Sequence, residues 1–487
     1  MTKSALAARV SRALSDRRLR RALVRTTDAF RQGKARATAE VADWEARREW
    51  ARALRTHTIQ HLDYYLAQLS AKVRENGGHV HFAETGSQAV EIVRRIARRY
   101  GVRCVVKSKS MISEEIHLNK ALEADGIEVV ETDLGEYILQ LAGETPSHIV
   151  GPSLHKSRED VAALFSRVGG EALSDDTPTL TAFARRQLRS AFLRADMGIT
   201  GCNFAIAETG SIALVTNEGN GRMVTALPRV QVTLMGMERI LPRLEDLDIM
   251  LSLLTRSATG QRSTSYVTIT SGPRGPGEKD GPEAFHLVIV DNQRSTILGG
   301  EFEEALNCIR CGACLNVCPV YRQIGGHAYG WVYSGPIGAV LTPLYRGLEE
   351  WGEVAQASSL CGACYEACPV KIPLHDMLIG IRRQSVEAGH GSTAERLLFR
   401  AFGFLMSRPQ WYRRALAFAR WAQRPFLRAG RLTGAPPPLS RWLEGRDFPG
   451  LARASFREMW QSGLASQREE PLAVRADAES AEGRGAP

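Results

Sequence analysis

The stretch CIRCGACLNVCPVY, residues 308–321, contains four cysteines in the spacing C-x2-C-x2-C-x3-C-P. A second stretch, SSLCGACYEACPVK at 358–371, repeats the pattern, but Ser358 stands where the first cysteine would be. This spacing is typical of bacterial iron–sulfur proteins, and in two-cluster ferredoxins the fourth cysteine of each run binds the other cluster. The two runs therefore predict two neighbouring iron–sulfur sites.

The exchange of fourth cysteines distributes seven thiolates over the two sites. Cluster 1 takes Cys308, Cys311, Cys314 and Cys368, and cluster 2 takes Cys318, Cys361 and Cys364. The complete site is expected to hold a 4Fe–4S cluster. The second site lacks a fourth thiolate, and the hydroxyl of Ser358 is a poor ligand for such a cluster. We expect a 4Fe–4S cluster there with another or no fourth ligand, or a 3Fe–4S cluster.

Structural zinc is the alternative for clustered cysteines. Zinc would use four cysteines, or three cysteines with a histidine such as His327 or His375. The C-x2-C-x2-C-x3-C-P spacing is much more specific than a pair of CxxC motifs, and it favours iron–sulfur clusters. One-electron transfer is then the expected chemistry, and no catalytic residue is predicted.

Composition limits the class of protein. The 487 residues are 44% hydrophobic and 24% charged, and a chain of this length needs more than one core. No stretch approaches the roughly 18 uncharged apolar residues of a membrane span, and the arginine-rich start lacks the apolar core of a secretory signal. Clustered thiolates are typical of a reducing compartment. We therefore expect a cytoplasmic protein.

Four segments differ in their sequence pattern. A basic helical segment is predicted at 1–70, an α/β domain at 71–300, the cysteine segment at 301–390, and a helical C-terminal region with a disordered tail at 391–487. Short apolar strands alternate with amphipathic helices in the α/β domain, which predicts a mostly parallel, buried sheet. Within it, SEEIHLNKALEADG at 113–126 predicts one helix that starts at a serine and stops at a glycine.

The net charge of +10 is concentrated at the two ends of the chain. Residues 1–60 hold 15 Lys and Arg against 6 Asp and Glu, and residues 391–487 hold 16 against 9. Basic ends suggest contact with an anionic protein or a membrane surface, although solvated arginine-rich helices explain them equally well. No nucleic-acid recognition motif accompanies the charge, and no nucleic-acid partner is expected.

Some weaker candidates lie in the α/β domain. KSKS at 107–110 follows a strand, where its lysines and amides could bind an anion, or it is a solvated turn. NEGNGRM at 217–223 fits no nucleotide-binding fingerprint and favours a tight turn. Glu208 is more typical of a structural carboxylate than of a nucleophile. Cys104 and Cys202 are predicted to be core residues, and the isolated histidines at 148, 155, 286 and 327 to be structural.

The cysteine runs resemble a known family when they are taken together with the α/β segments VVKSKSMISEEIHLN, ETDLGEYILQLAGE and AIAETGSIALVTNEGNGRMVTALP. The sequence is similar, over about residues 20–465, to the family of lactate-utilisation iron–sulfur proteins of the B type. The resemblance implies an α/β domain like those of the sugar-phosphate-isomerase and CoA-transferase superfamily. It also implies that residues 301–390 form an all-α dicluster ferredoxin domain. Two partners are implied as well, the lactate-utilisation proteins A and C, with which L-lactate is oxidised to pyruvate.

The resemblance implies an electron carrier that passes single electrons between two clusters and on to a downstream acceptor. The sequence leaves two alternatives open. The α/β domain could itself bind and oxidise a hydroxy acid, or the chain could be a cluster-bearing regulatory protein that binds a partner through its basic ends. Reduction potentials and the ligand of the α/β domain are not encoded in any motif of the sequence.

Overall fold

The computed structural model describes residues 5–391, 393–434, 440, 443 and 448–464. The chain divides into two compact units, Met1–His390 and Gly391–Pro487. The predicted disordered tail lies outside the described residues.

The first unit contains eighteen described helices and ten described strands. The helices are α1 (Ala5–Ser15), α2 (Arg17–Ala39), α3 (Trp44–Gln60), α4 (Leu62–Glu75), α5 (Gly86–Arg99), α6 (Met111–Glu115), α7 (Leu118–Ala124), α8 (Leu134–Ala142), α9 (Arg158–Gly169), α10 (Thr177–Arg194), α11 (Asn220–Ala226), α12 (Asp246–Thr259), α13 (Ala313–Val317), α14 (Tyr321–Ile324), α15 (Gly335–Arg346), α16 (Leu348–Trp351), α17 (Ala363–Ala367) and α18 (Leu374–Glu387). The strands are β1 (His79–Ala83), β2 (Cys104–Lys107), β3 (Glu128–Glu131), β4 (Met197–Thr200), β5 (Phe204–Ile206), β6 (Ser211–Thr216), β7 (Val230–Gly236), β8 (Ile240–Leu241), β9 (Tyr266–Thr270) and β10 (Ala284–Val290). Short 3-10 helices cover Ser295–Ile297, Glu303–Asn307, His327–Tyr329 and Gly352–Gln356.

Six strands form one entirely parallel sheet in the order β1-β10-β7-β4-β2-β3. Its central strands β4, β7 and β10 are buried at every residue, as expected for a sheet covered on both faces. The predicted α/β fold class with a mostly parallel sheet is therefore confirmed. The remaining strands form a smaller sheet, β8-β5-β6-β9, in which only β5 and β8 are parallel.

The single helix predicted for 113–126 is wrong. The structure has two short helices, α6 and α7, because His117 between them takes a left-handed conformation with φ of 55°. The helix also starts earlier than predicted, since the Ser110 hydroxyl accepts a hydrogen bond from the backbone N–H of Ser113 and caps α6. The break places Glu115, at the end of α6, in the protein interior.

The N-terminal helices are part of the first unit, and several of their basic side chains are used inside it. Arg55 is fully buried and donates hydrogen bonds to the backbone carbonyls of Glu238, Ile240 and Leu306. Arg52 pairs with Glu304 at 3.0 Å. The buried charge of Arg55 is therefore not available to a partner.

The second unit contains the helices α19 (Thr393–Met406), α20 (Pro409–Ala422) and α21 (Phe456–Met459), and a small antiparallel sheet of β11 (Leu427–Arg428), β12 (Arg431–Leu432) and β13 (Phe448–Pro449). A 3-10 turn covers Arg424–Phe426, and a π-helical turn covers Trp460–Leu464. Across the ranges described in both units, no helix combines the length and the apolar character needed to cross a membrane.

A buried ion cluster connects the end of the parallel sheet to the cysteine segment. Arg294, just after β10, donates two hydrogen bonds to Glu115, at 2.9 and 2.8 Å, and one to Glu238 at 2.8 Å. The Tyr333 hydroxyl donates to Glu115 at 2.6 Å. Glycine is needed at 236, because a Cβ there would lie 2.2 Å from Glu238 Oε2.

Replacement of the central guanidinium tests this cluster. Arg294→Met would leave the buried Glu115 without its cation and Glu238 with Arg310 alone, and we expect it to lower the free energy of unfolding by about 3–5 kcal/mol. Urea titration followed by tryptophan fluorescence measures the change. The control is Arg186→Met, which breaks an ion pair whose side chains are both 60% exposed and which should change stability by less than about 0.5 kcal/mol. Equal small effects would show that the cluster contributes no stability.

Candidate iron–sulfur centre

The two cysteine runs have the same backbone conformation. Each run has two left-handed residues at equivalent positions. In the first run they are Arg310 (φ 59°) and Gly312 (φ 76°), on either side of Cys311. In the second run they are Leu360 (φ 54°) and Gly362 (φ 77°), on either side of Cys361. A five-residue helix follows in both runs, α13 and α17, and it ends at a cysteine. Left-handed backbone is costly for non-glycine residues, so its repetition at Arg310 and Leu360 indicates a constrained local structure.

Four thiols from the two runs meet at one small cavity. Cys308, Cys311 and Cys314 of the first run and Cys368 of the second run line it. Its other walls are mostly aliphatic side chains, from Ile149, Ile309, Ile337, Val370, Ile372 and Leu374. These are the four cysteines that the spacing assigns to the complete site.

The electrostatics of these thiols suit the binding of a cationic iron–sulfur core. Burial, reinforced by the nearby Cys368, raises the pKa of the Cys311 thiol to about 12, and burial also raises the pKa of Cys314 and Cys368. Adjacent buried thiols ionise only when a bound cation compensates their charge. Backbone N–H groups approach two of the sulfurs, Arg310 N at 3.4 Å from Cys308 Sγ and Ile372 N at 3.5 Å from Cys368 Sγ. This donor set fits an iron–sulfur cluster.

Cationic side chains surround the same four thiols. The ammonium of Lys34, on α2, donates to the carbonyl oxygen of Ala367. Arg48, on α3, donates to the carbonyl of Cys368 at 3.0 and 2.8 Å. Arg239 donates to the carbonyl of Cys308 at 2.9 Å. Thiolate-bound clusters are anionic, so these charges favour the bound state.

The remaining three thiols, Cys318, Cys361 and Cys364, also lie near one another. Burial and the neighbouring Cys318 raise the pKa of Cys364 to about 12, and burial raises the pKa of Cys318, with a further contribution from Cys361. Cys361 is exposed, whereas the other two thiols are buried. The second site is therefore open to solvent on its Cys361 side.

A buried tyrosine hydroxyl lies beside this second group. The Tyr329 hydroxyl is next to the Cys318 thiol, and among the described residues it makes no hydrogen bond to an oxygen or nitrogen atom. Burial and the nearby Cys318 thiol raise its pKa well above the usual value. A cluster sulfur is an acceptor that would satisfy this donor.

Ser358 is engaged by its own loop. Its hydroxyl accepts a hydrogen bond from the backbone N–H of Leu360 at 3.1 Å. His327, considered above as a zinc ligand, lies with Nε2 2.8 Å from the carbonyl of Thr145. Within the described ranges, no group of three or more His, Cys, Asp or Glu side chains is placed to hold a single metal ion.

The weaker candidates fall into two groups. Lys107 is buried in an ion pair with Glu131 at 2.7 Å, Glu208 accepts a hydrogen bond from Leu244 N, and Cys104 is a core residue. In contrast, Cys202, predicted as a core residue, lines a larger cavity in the α/β domain. Lys109 of KSKS and Glu218 of NEGNGRM line the same cavity. The predicted tight turn at 217–223 is partly wrong, because helix α11 begins at Asn220.

Sequence patterns did not reveal the cations around the first four thiols. Lys34 and Arg48 lie more than 300 residues from the carbonyls they bind, and no local motif marks them. Arg310 could have been identified from the sequence, because it lies inside the first cysteine run.

Comparison with known proteins bears on the whole chain. Family profiles match as "LUD domain" over residues 66–290, "4Fe-4S dicluster domain" over 304–372 and "Lactate utilisation protein B, C-terminal" over 383–463. The chain thus contains an iron–sulfur dicluster domain. The crystal structure of a DUF162 family protein from Deinococcus radiodurans matches 47% of this chain and 98% of its own, at 15% identity and a TM-score of 0.28.

Curated relatives match over almost the full length. Lactate utilization protein B of Bacillus licheniformis is 50% identical over 455 residues, which is 93% of this chain and 95% of that protein. The protein of the same name from Geobacillus kaustophilus is 55% identical, over 87% of this chain and 89% of its own, and that from Bacillus subtilis is 48% identical, over 94% and 96%. The resemblance found in the sequence is confirmed: the chain belongs to the lactate utilization protein B family.

Proposed function

We propose that this chain is the electron-transfer component of a multi-protein system that oxidises L-lactate to pyruvate. The observation that carries the proposal is the meeting of two cysteine runs of identical backbone conformation, with four thiols around one cavity and three in a neighbouring group. The names of the relatives connect the family with lactate utilisation.

The proposed ligands are Cys308, Cys311, Cys314 and Cys368 for one 4Fe–4S cluster. Cys318, Cys361 and Cys364 would hold the second cluster, of the 4Fe–4S or 3Fe–4S type. A bound iron–sulfur cluster supplies one-electron transfer. We assign this chemistry to a domain at about 301–390. In the proposed domain order, the basic helical segment at 1–70 and the α/β domain at 71–300 precede it, and the C-terminal region from 391 follows it.

The proposed division of work follows from electron counting. Oxidation of lactate to pyruvate releases two electrons and two protons, whereas each cluster accepts one electron at a time. A partner, lactate-utilisation protein A or C, would therefore perform the carbon chemistry. Because Cys361 is exposed, a partner or a downstream acceptor would approach the second cluster at the three-cysteine site.

Cysteine replacement tests the ligand sets. Cys311→Ser should remove about half of the bound iron and the electron paramagnetic resonance signal of one cluster, because it deletes a ligand of the complete site only. Cys364→Ser should remove the other signal. Cys104→Ser is the matched control, since it changes a cysteine outside both groups, and Ser358→Ala should also retain both signals. Loss of iron in Ser358→Ala, or retention of all iron in Cys311→Ser, would contradict the assignment.

Anaerobic reduction tests the carrier role. With L-lactate alone the purified protein should stay oxidised, and its visible absorption should bleach only after the lactate-utilisation proteins A and C are added. Dithionite provides the positive control for complete reduction. Bleaching by L-lactate in the absence of any partner would instead support the alternative that this chain oxidises the hydroxy acid itself.

We further propose that the second unit contacts an anionic membrane surface. Its described residues 393–434 and 448–464 contain eleven arginines and two glutamates. Large apolar side chains are exposed beside them, such as Phe399 at 64%, Phe418 at 65% and Trp421 at 63%. Arginine together with exposed aromatic side chains on helices is typical of binding in the interfacial region of a membrane.

Vesicle sedimentation tests this contact. The protein should sediment with phosphatidylglycerol vesicles, should not sediment with phosphatidylcholine vesicles, and should be released by salt, because the arginines bind lipid charge. Phe418→Ser/Trp421→Ser should weaken binding several-fold, whereas the control Leu193→Ser, at a 70% exposed leucine of the first unit, should not. Equal binding of both vesicle types, or binding to neither, would contradict the proposal and leave this face to a protein partner.

A further inference from the structure

A cavity of about 490 Å³ opens at the carboxyl edge of the parallel sheet. Residues that follow three neighbouring strands line it: Ser108 and Lys109 after β2, Gly201 after β4, and Gly236 at the end of β7. Ligands of open α/β sheets bind at this edge, and the volume is that of a small-molecule site. Neither the cysteine groups nor the proposed electron transfer accounts for it.

This cavity shares a wall with the four-thiol cavity. Ile149, Arg310 and Cys311 line both. A molecule bound at the sheet edge would therefore be separated from the complete cysteine site by single side chains.

The shared wall is cationic. Arg239, Arg294 and Arg310 line the larger cavity together with three carboxylates, those of Glu238, Asp133 and Glu218. Arg294 donates to Glu115 and Glu238, and Arg239 donates to the backbone carbonyls of Cys202 and Cys308. Arg310 is not saturated: its Nη2 lies 3.3 Å from Glu238 Oε1, but its buried Nη1 has no hydrogen-bond partner among the described residues.

Arg310 is held rigidly in this position. Its backbone is left-handed, and its guanidinium lies over the Tyr333 ring, 4.6 Å from the ring centroid. A fixed guanidinium with a free N–H group is suited to bind a carboxylate, because little side-chain entropy is lost on binding. Buried polar groups without a partner require an explanation, and a missing ligand provides one here.

A second unsatisfied cation lines the same cavity. The buried Nζ of Lys109 makes no hydrogen bond within the part of the chain that the structure describes, and its nearest carboxylate oxygen, Glu136 Oε1, is 3.5 Å away. Glu136 Oε1 also lacks a hydrogen-bond partner there. Two cations with unused N–H groups, Arg310 and Lys109, thus lie in the wall of one cavity. Apolar side chains also line it, among them Met111, Leu134, Ile138, Leu214 and Leu254.

We propose that this cavity binds a small organic carboxylate of the 2-hydroxy-acid or 2-oxo-acid class, with Arg310 and Lys109 as its charge-binding residues. The choice of carboxylate over other anions rests on the proposed function. The site recognises the substrate or product of the system and places it against the Arg310–Cys311 wall. No oxidation step is assigned to the cavity, because two electrons and two protons would need acceptors that its lining does not provide.

Binding and redox state are coupled through Arg310. A bound carboxylate neutralises a cation next to the complete cysteine site, which disfavours the addition of an electron there. By linkage, a carboxylate that binds tenfold more weakly to the reduced protein lowers the midpoint potential of that site by 59 mV at saturation. The cavity thereby senses the supply of substrate or product.

Calorimetry on the anaerobic holoprotein tests the binding, with L-lactate, pyruvate and inorganic phosphate as separate probes. We expect L-lactate or pyruvate to bind, and Lys109→Met and Arg310→Met each to weaken that binding at least tenfold. The control is Lys72→Met, an exposed lysine that pairs with Glu75. If Arg310→Met loses iron because it stands within the cysteine run, Lys109→Met alone decides.

The outcomes separate the two proposals. Absence of binding for all three probes, or unchanged binding in Lys109→Met, overturns the inference, and phosphate binding tighter than both organic acids overturns the carboxylate assignment. A redox titration with and without the bound acid should show the lower midpoint potential, and this shift should vanish in Lys109→Met. Carrier function in the presence of the lactate-utilisation proteins A and C is measured independently, so its failure leaves the binding result standing.

Discussion

Arg294 lies between two buried carboxylates, at the centre of an ion cluster. This cluster connects the parallel sheet to the cysteine segment. Glu115 ends α6, Glu238 follows β7, and Tyr333 comes from the cysteine segment. A buried charge is tolerated only when it is paired and hydrogen-bonded, so these elements have little freedom to move apart. Arg310 joins the same cluster through Glu238. The position of the first cysteine run relative to the sheet edge is thus fixed by charge compensation.

The sequence was most informative where function is local. Metal ligands follow one another at short intervals, so the spacing of the cysteines identified the thiols that meet at the small cavity. The strands β7 (VQVTLMG) and β10 (AFHLVIV) were recognisable because most of their residues are apolar or β-branched. The break at His117 was not recognisable, because a left-handed residue leaves no trace in hydrophobic periodicity.

Charge was the property that sequence patterns described least well. The arginine-rich N-terminal segment was interpreted as a surface for partners or as solvated helix. In the structure Arg48 and Lys34 donate to backbone carbonyls of the second cysteine run, and Arg55 is fully buried. These contacts span more than 300 residues for Lys34 and Arg48, so no window of sequence contains both partners. Net charge describes a segment's composition and does not show which charges a fold has neutralised internally.

The two cysteine groups differ in environment although their backbones agree. Lys34, Arg48, Arg239 and Arg310 surround the four-thiol cavity, whereas Cys361 leaves the three-thiol group open to solvent. Nearby positive charge favours the reduced form of an anionic centre. The group beside the sheet-edge cavity is therefore the one whose potential a bound anion can alter. The exposed group is the one that a protein partner can approach. The proposed carrier would thus divide its two tasks between the cysteine groups. The four-thiol group would respond to a small acid, and the three-thiol group would exchange electrons with a partner.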